Sequence, residues 1–136
     1  MLIEILKSKI HRAVVTDKNI NYEGSITVDG ILLEKAGIYE GEKVHVYNVN
    51  NGVRFETYVI KGKKNSGEIC INGAAARLAE KNDIIIIASY GFIDEKDINK
   101  HKPKIVKIKD KNKIGGRKWE SQKTKEKKLE SLAVET

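Results

Sequence analysis

Ser25 stands directly behind Gly24 at the head of the β-branched run Ser25-Ile26-Thr27-Val28, within Asn21-Tyr22-Glu23-Gly24-Ser25. A serine hydroxyl can attack the carbonyl carbon of the residue before it and carry the chain from nitrogen to oxygen as an ester. A preceding glycine helps, because it lacks a Cβ and can take backbone angles that expose its carbonyl. β-Elimination of the ester leaves dehydroalanine, which hydrolyses to a pyruvoyl group on a new N-terminus. That electron-poor carbonyl can form an imine with a substrate amine and hold the electrons left by a departing carboxylate, as pyridoxal phosphate does. Gly-Ser is a common dipeptide, so it needs the company of other residues to carry this meaning.

Three further stretches bear useful groups. Arg54-Phe55-Glu56-Thr57-Tyr58 places Arg54, Glu56 and Tyr58 on one face of a strand and Phe55 and Thr57 on the other. An arginine can fork onto a carboxylate, and a tyrosine hydroxyl can give up a proton; the same face can also be plain solvated surface. Lys9, His11 and Ala13 share a strand face by the same count. Asn72-Gly73-Ala74-Ala75-Ala76 opens a short helix with backbone N–H groups that no bulky side chain covers. Such a start suits an anion or oxyanion, and it equally suits a tight strand-to-helix packing corner.

Other chemistries are excluded by spacing. His11, His45 and His101 are scattered and no Cys-x-x-Cys pair exists, so no metal site is expected. Gly-rich phosphate loops are absent. The single cysteine, Cys70, has no internal disulfide partner and lies in the apolar run Ile69-Cys70-Ile71, which reads as a small core residue.

The elements that must hold these groups are mostly strands. Leu2–Leu6 and Lys9–Thr16 read as one strand or two, with Asp17-Lys18-Asn19 as punctuation. Ser25–Val28 is a strand, and Ile31–Ala36 is a short helix that Gly37 is placed to end. Lys43–Val49 alternates with period two. Asn51-Gly52 then predicts a hairpin with a type I′ turn, which needs positive φ at both central residues, and Arg54–Ile60 returns. Glu68–Ile71 is a strand, Asn72–Ala79 a turn running into a short helix, and Asp83–Tyr90 the most apolar strand. Asp94–Lys100 allows one or two helical turns before Pro103, and Lys104–Lys109 alternates again. Seven or so short strands with two or three short helices make a small mixed β-barrel. Residues 1–109 form its body, and 110–136 form a basic Lys/Glu-rich tail read as disorder or a loosely held helix.

Charge and composition limit the partners. The formal net charge is +7, yet residues 1–93 carry 12 Lys/Arg against 11 Asp/Glu while residues 94–136 carry 14 against 8. The basicity therefore sits in the tail. No apolar run approaches the roughly 20 residues of a membrane span. The N-terminus lacks the layout of a signal peptide, and one unpaired cysteine suits a reducing cytoplasm.

Taken in order, Lys9-Ile10-His11-Arg12, Asn21-Tyr22-Glu23-Gly24-Ser25, Asn51-Gly52-Val53-Arg54-Phe55-Glu56-Thr57-Tyr58, Ile71-Asn72-Gly73-Ala74-Ala75-Ala76 and Asp83-Ile84-Ile85-Ile86-Ile87-Ala88-Ser89 closely resemble the aspartate 1-decarboxylase family. Each motif is weak alone; five in sequence at these separations are specific. The resemblance covers about residues 1–109 and implies the family's double-psi β-barrel.

It further implies pyruvoyl-dependent conversion of L-aspartate to β-alanine and carbon dioxide for pantothenate synthesis, with no metal and no pyridoxal phosphate. Cleavage between Gly24 and Ser25 would give a β chain (1–24) and an α chain (25–136) that begins with the pyruvoyl group, the site of the substrate Schiff base. By the same resemblance Thr57 assists cleavage and contacts substrate, and Tyr58 is the proton donor. Gly73, Ala74 and Ala75 bind substrate through their backbone, and Lys9 and Arg54 hold its carboxylates. A homotetramer with sites between subunits is expected. Some relatives need a separate activator for cleavage; the sequence leaves that partner open, and residues 110–136 have no counterpart in the family pattern.

A second reading is a small basic β-barrel that binds nucleic acid through its Lys-rich tail. Against it stand the near-neutral body and few aromatics (Phe 2, Trp 1, Tyr 5) for a base-stacking surface.

Overall fold

The computed structural model describes residues 1–115; the Lys/Glu-rich stretch beyond Gly115 lies outside the described residues. Nine strands form one sheet: β1 (Leu2–Val14), β2 (Asp17–Asn19), β3 (Ser25–Asp29), β4 (Lys43–Asn48), β5 (Arg54–Gly62), β6 (Ile69–Asn72), β7 (Ile84–Asp94), β8 (Lys104–Lys109) and β9 (Lys113–Ile114). Their order is β2-β6-β3-β5-β4-β7-β1-β8-β9. The pairs β1–β8, β2–β6 and β3–β5 are parallel and the rest antiparallel. One α-helix, α1 (Gly30–Ala36), and three short 3-10 helices complete the fold. The chain is mainly β with short helices, a barrel-like sheet of the double-psi β-barrel class.

Closure comes from the first strand. Asp17–Asn19, expected to punctuate, instead continues β1's path and pairs with β6. The link is sealed where the Thr16 N–H donates to the Ile69 carbonyl at 2.8 Å and the Val15 N–H to the Asp83 carbonyl at 2.9 Å. One extended run thus lies between β7 and β8 and also pairs, as β2, along β6.

Alternation delivers the core. Ile10, Val15, Ile26, Val28, Val44, Val46, Val59, Ile69, Ile71, Ile85 and Ile87 are fully buried, with Leu32, Leu33 and Ala36 of α1 packed on them. Each such side chain contributes about 1.5–3 kcal/mol on burial. The helix starts as its residues dictate: the Asp29 carboxylate accepts from the Ile31 N–H at 2.9 Å, and Gly37 ends it at φ +67°.

Three local readings change in the structure. The β4–β5 hairpin forms, but only Gly52 has positive φ (+74°), so the turn is not type I′. The loop is longer, closed by the Gly52 N–H onto the Asn48 carbonyl at 2.8 Å and the Asn48 N–H onto the Val53 carbonyl at 2.9 Å. Ala13 does not share a face with Lys9 and His11: the register shifts between His11 and Ala13, where Arg12 takes φ +68°. That bulge turns Ala13 into the core beside Ile10. Cys70 is half-buried on the face opposite Ile69 and Ile71, so it is not a core residue. The fold also continues past Lys109: Ile108 pairs with Ile114, and the buried Asn112 side chain bonds the Val14 N–H and carbonyl and the Gly67 carbonyl.

Candidate active site

The site is built where β3 begins and β6 ends. Antiparallel pairing sets Ser25 opposite Asn72. Ser25 is fully buried, although Gly24 before it is exposed. Its Oγ donates to the Glu23 carbonyl at 3.0 Å and accepts from Asn72 Nδ2 at 3.0 Å. Asn72 Nδ2 also donates to Thr27 Oγ1 at 3.1 Å. The Ser25 hydroxyl is thus held by neighbours two residues and 47 residues away in the chain.

Glycine matters here at an unexpected position. Gly24 does not use the left-handed region; Gly73 does, at φ +73°. A Cβ on Gly73 would stand 2.6 Å from Gly24 Cα and 2.7 Å from its nitrogen, a contact real Cβ atoms do not make. The Asn72-Gly73 corner therefore closes directly on the Gly24-Ser25 bond. Gly73–Leu78 continues as a 3-10 helix with Ala74 exposed and Ala75 half-buried. Asn72 makes no side-chain cap to that helix; its Oδ1, the atom a cap would use, accepts from Cys70 Sγ at 3.3 Å instead.

Thr57 and Tyr58 arrive by register. Ile26 pairs with Val59 in the parallel β3–β5 ladder, so the two residues before Val59 lie at the level where β3 starts. Thr57 is half-buried and Tyr58 is 39% exposed. Arg54, at the head of β5, pairs with Tyr47 and lays its guanidinium over that ring at 4.7 Å. Tyr47 and Tyr90 share a hydroxyl–hydroxyl bond of 2.6 Å. Burial and that bond push the Tyr47 phenol up to about 12. On the same face Lys43 bonds Glu56 at 3.1 Å and holds its carboxyl below the ordinary range.

Lys9 is half-buried on β1, opposite Ala88 of β7. Ala88 pairs in turn with His45 of β4, and His45 with Glu56 of β5. Lys9 and Arg54 consequently lie on strands three steps apart in the sheet, roughly 14 Å between backbones at ordinary strand spacing. Burial, followed by Lys9, Arg12 and Lys107, pushes the His11 imidazole below its ordinary range. Among the described residues no group of three or more His, Cys, Asp or Glu could hold a metal ion. A cavity of about 390 Å³, lined by Lys18, Ile20, Ala76, Arg77 and Glu80, includes none of Ser25, Thr57 or Tyr58.

Sequence reasoning did not single out Asn72 or Thr27 as site residues. The signal was present in the pairing of two polar residues at strand positions i and i+2 on β3, but the partner strand could not be read locally.

A mixed β-barrel that holds a buried serine directly behind a glycine is the setting of the candidate site. Comparison with known proteins places it further. The aspartate decarboxylase family matches residues 1–115. Aspartate 1-decarboxylase of Caldicellulosiruptor bescii is 61% identical over 114 residues, covering 84% of this chain and 89% of that protein. The enzymes of the same name from Thermoanaerobacter pseudethanolicus (56% over 109 residues, 80% of this chain and 93% of that protein) and Neisseria meningitidis (56% over 114 residues, 84% and 90%) are similar. The chain belongs to the aspartate decarboxylase family, and it is an enzyme.

Proposed function

We propose that this chain is a self-processing precursor of a pyruvoyl-dependent decarboxylase that converts L-aspartate to β-alanine and carbon dioxide for pantothenate synthesis. The observation that carries the reading is the corner at Ser25: a buried hydroxyl, bonded on both sides, next to a glycine whose Cα abuts a second glycine.

Maturation uses only these groups. Ser25 Oγ bonds to the Gly24 carbonyl carbon, the Gly24–Ser25 C–N bond breaks, and the freed nitrogen takes the proton. Loss of the Ser25 α-proton then expels the Gly24 carboxylate, ending the chain 1–24. Water adds to the remaining dehydroalanine and ammonia leaves, giving the pyruvoyl terminus of chain 25–136. Asn72 Nδ2, within hydrogen-bond reach of Oγ, stabilises negative charge that develops there. Thr57, at the level of this junction, is the second residue assigned to cleavage.

The corner fits such a group: its surroundings include hydroxyl and amide donors, and the Gly24 side of the backbone is open. Once formed, the pyruvoyl carbonyl supplies an electron sink for decarboxylation. The chain's own residues do the rest. Arg54 forks onto one substrate carboxylate and Lys9 attracts the other. Backbone N–H groups of Gly73, Ala74 and Ala75 orient the substrate. Tyr58 holds the proton that replaces carbon dioxide on the α-carbon.

The family likeness favours a homotetramer whose site is completed by a second subunit. The absence, among the described residues, of a helix able to cross a membrane and the biosynthetic role favour the cytoplasm. The test is Ser25→Ala: electrophoresis and intact mass should show one unsplit chain with no turnover. Activity surviving that change would end the reading.

A further inference from the structure

The Asn72 carboxamide has two ends, and what faces each decides its use. Ser25 Oγ gives its proton to the Glu23 carbonyl and therefore presents lone pairs toward Asn72. Only the amino end of the amide can serve it. The carbonyl end then needs a donor, and Cys70 Sγ provides one at 3.3 Å to Asn72 Oδ1. The second amino hydrogen goes to Thr27 Oγ1 at 3.1 Å. Thr27 and Cys70 are direct cross-strand partners on β3 and β6, and Ser25 and Asn72 form the next such pair on the same face. The amide is bonded at both ends, and turning it over would break all three bonds and require each partner to exchange donor for acceptor.

Resting on the maturation reading above, we propose that Cys70 and Thr27 are positioning residues for chain splitting: they lock Asn72 with its amino end on the Ser25 hydroxyl. Neither touches the Gly24–Ser25 bond; both act through Asn72. Burial, then Asp17 and Glu68, push the thiol above its ordinary range, which keeps its proton in place for donation. With the donor gone, the carbonyl end of Asn72 has nothing to hold it. The flipped amide would aim an acceptor at an acceptor, and the attacking oxygen would lose its hydrogen-bond donor.

The experiment follows the intact mass of the full chain after a short expression pulse, with thermal midpoints measured alongside. Cys70→Ala and Thr27→Val should each split about threefold to tenfold more slowly than the parent, the worth of one modest hydrogen bond. Cys70→Ser and Thr27→Ser, which keep a hydroxyl at each place, should restore the parent rate at a similar midpoint. Parent-like splitting in Cys70→Ala and Thr27→Val overturns the proposal, as does equal slowing in the alanine and serine variants of Cys70, which would mean packing alone. Should Cys70→Ala fail to fold, Cys70→Ser decides: splitting at or above the parent rate supports the lock, and slower splitting refutes it. A parent chain that never splits overturns the maturation reading and this inference together.

Discussion

Two regions of the molecule handle polar groups in opposite ways. At the β3–β6 corner Ser25 is 0% and Asn72 4% exposed, and every polar atom of the cluster has a specified partner. On the outer face of β4, β5 and β7, Tyr58 and Tyr90 are 39% and 37% exposed, Arg54 is stacked on Tyr47, and Lys43 and Glu56 pair in solvent. Burial makes each unmet hydrogen bond costly, so the corner has one arrangement. Solvent screens the charges on the open face, so its side chains are not locked by their pairings. The difference suits the two tasks proposed above: rearranging one peptide bond would need a fixed geometry, and gripping a small dicarboxylate would need accessible charges.

The sharpest way to break this comparison is at Gly73. Gly73→Ala puts a methyl group 2.6 Å from Gly24 Cα at a φ of +73°. The variant should lose about 1–3 kcal/mol of stability in chemical denaturation and fail to split. If it splits as fast as the parent, the tight corner is not what drives cleavage. Tyr58→Phe acts on the open face and should separate the two regions: splitting proceeds, while β-alanine production falls about 100-fold. A variant with full turnover would remove Tyr58 from proton delivery.

The smallest effect is read by alkaline titration of the open face. The Tyr47 phenol is raised from 10.0 to about 12 in the fold. Its contribution to stability is therefore fully present below pH 10 and is lost as pH rises towards 12. Ultraviolet difference titration should find one tyrosine ionising last, near 12, and Tyr90→Phe should bring that titration down. An unchanged titration would detach Tyr47 from Tyr90.

Much of this was legible from particular residues. Gly37 announced the end of α1, and the period-two alternation in Lys43–Val49 announced a strand, observed over Lys43–Asn48. Ser25-Ile26-Thr27-Val28 announced the start of β3. Other features were hidden because their cause is not local. Nothing near Arg12 says that the strand bulges there; β7 and the core require it. The Asn51-Gly52 pair foretold a hairpin, yet the turn type followed from the Asn48 and Val53 closure.

What the chain order alone determined is the supply of parts: period-two strands, one capped helix, a serine behind a glycine, and an Asn-Gly pair before three alanines. These follow from backbone sterics and hydrophobic period, which act over a few residues. Only the tertiary structure decided that Ser25 meets Asn72 across 47 residues, that the left-handed glycine is Gly73, and that Cys70 faces the amide instead of the core. Strand register sets all three, and register is chosen by which faces must be buried together.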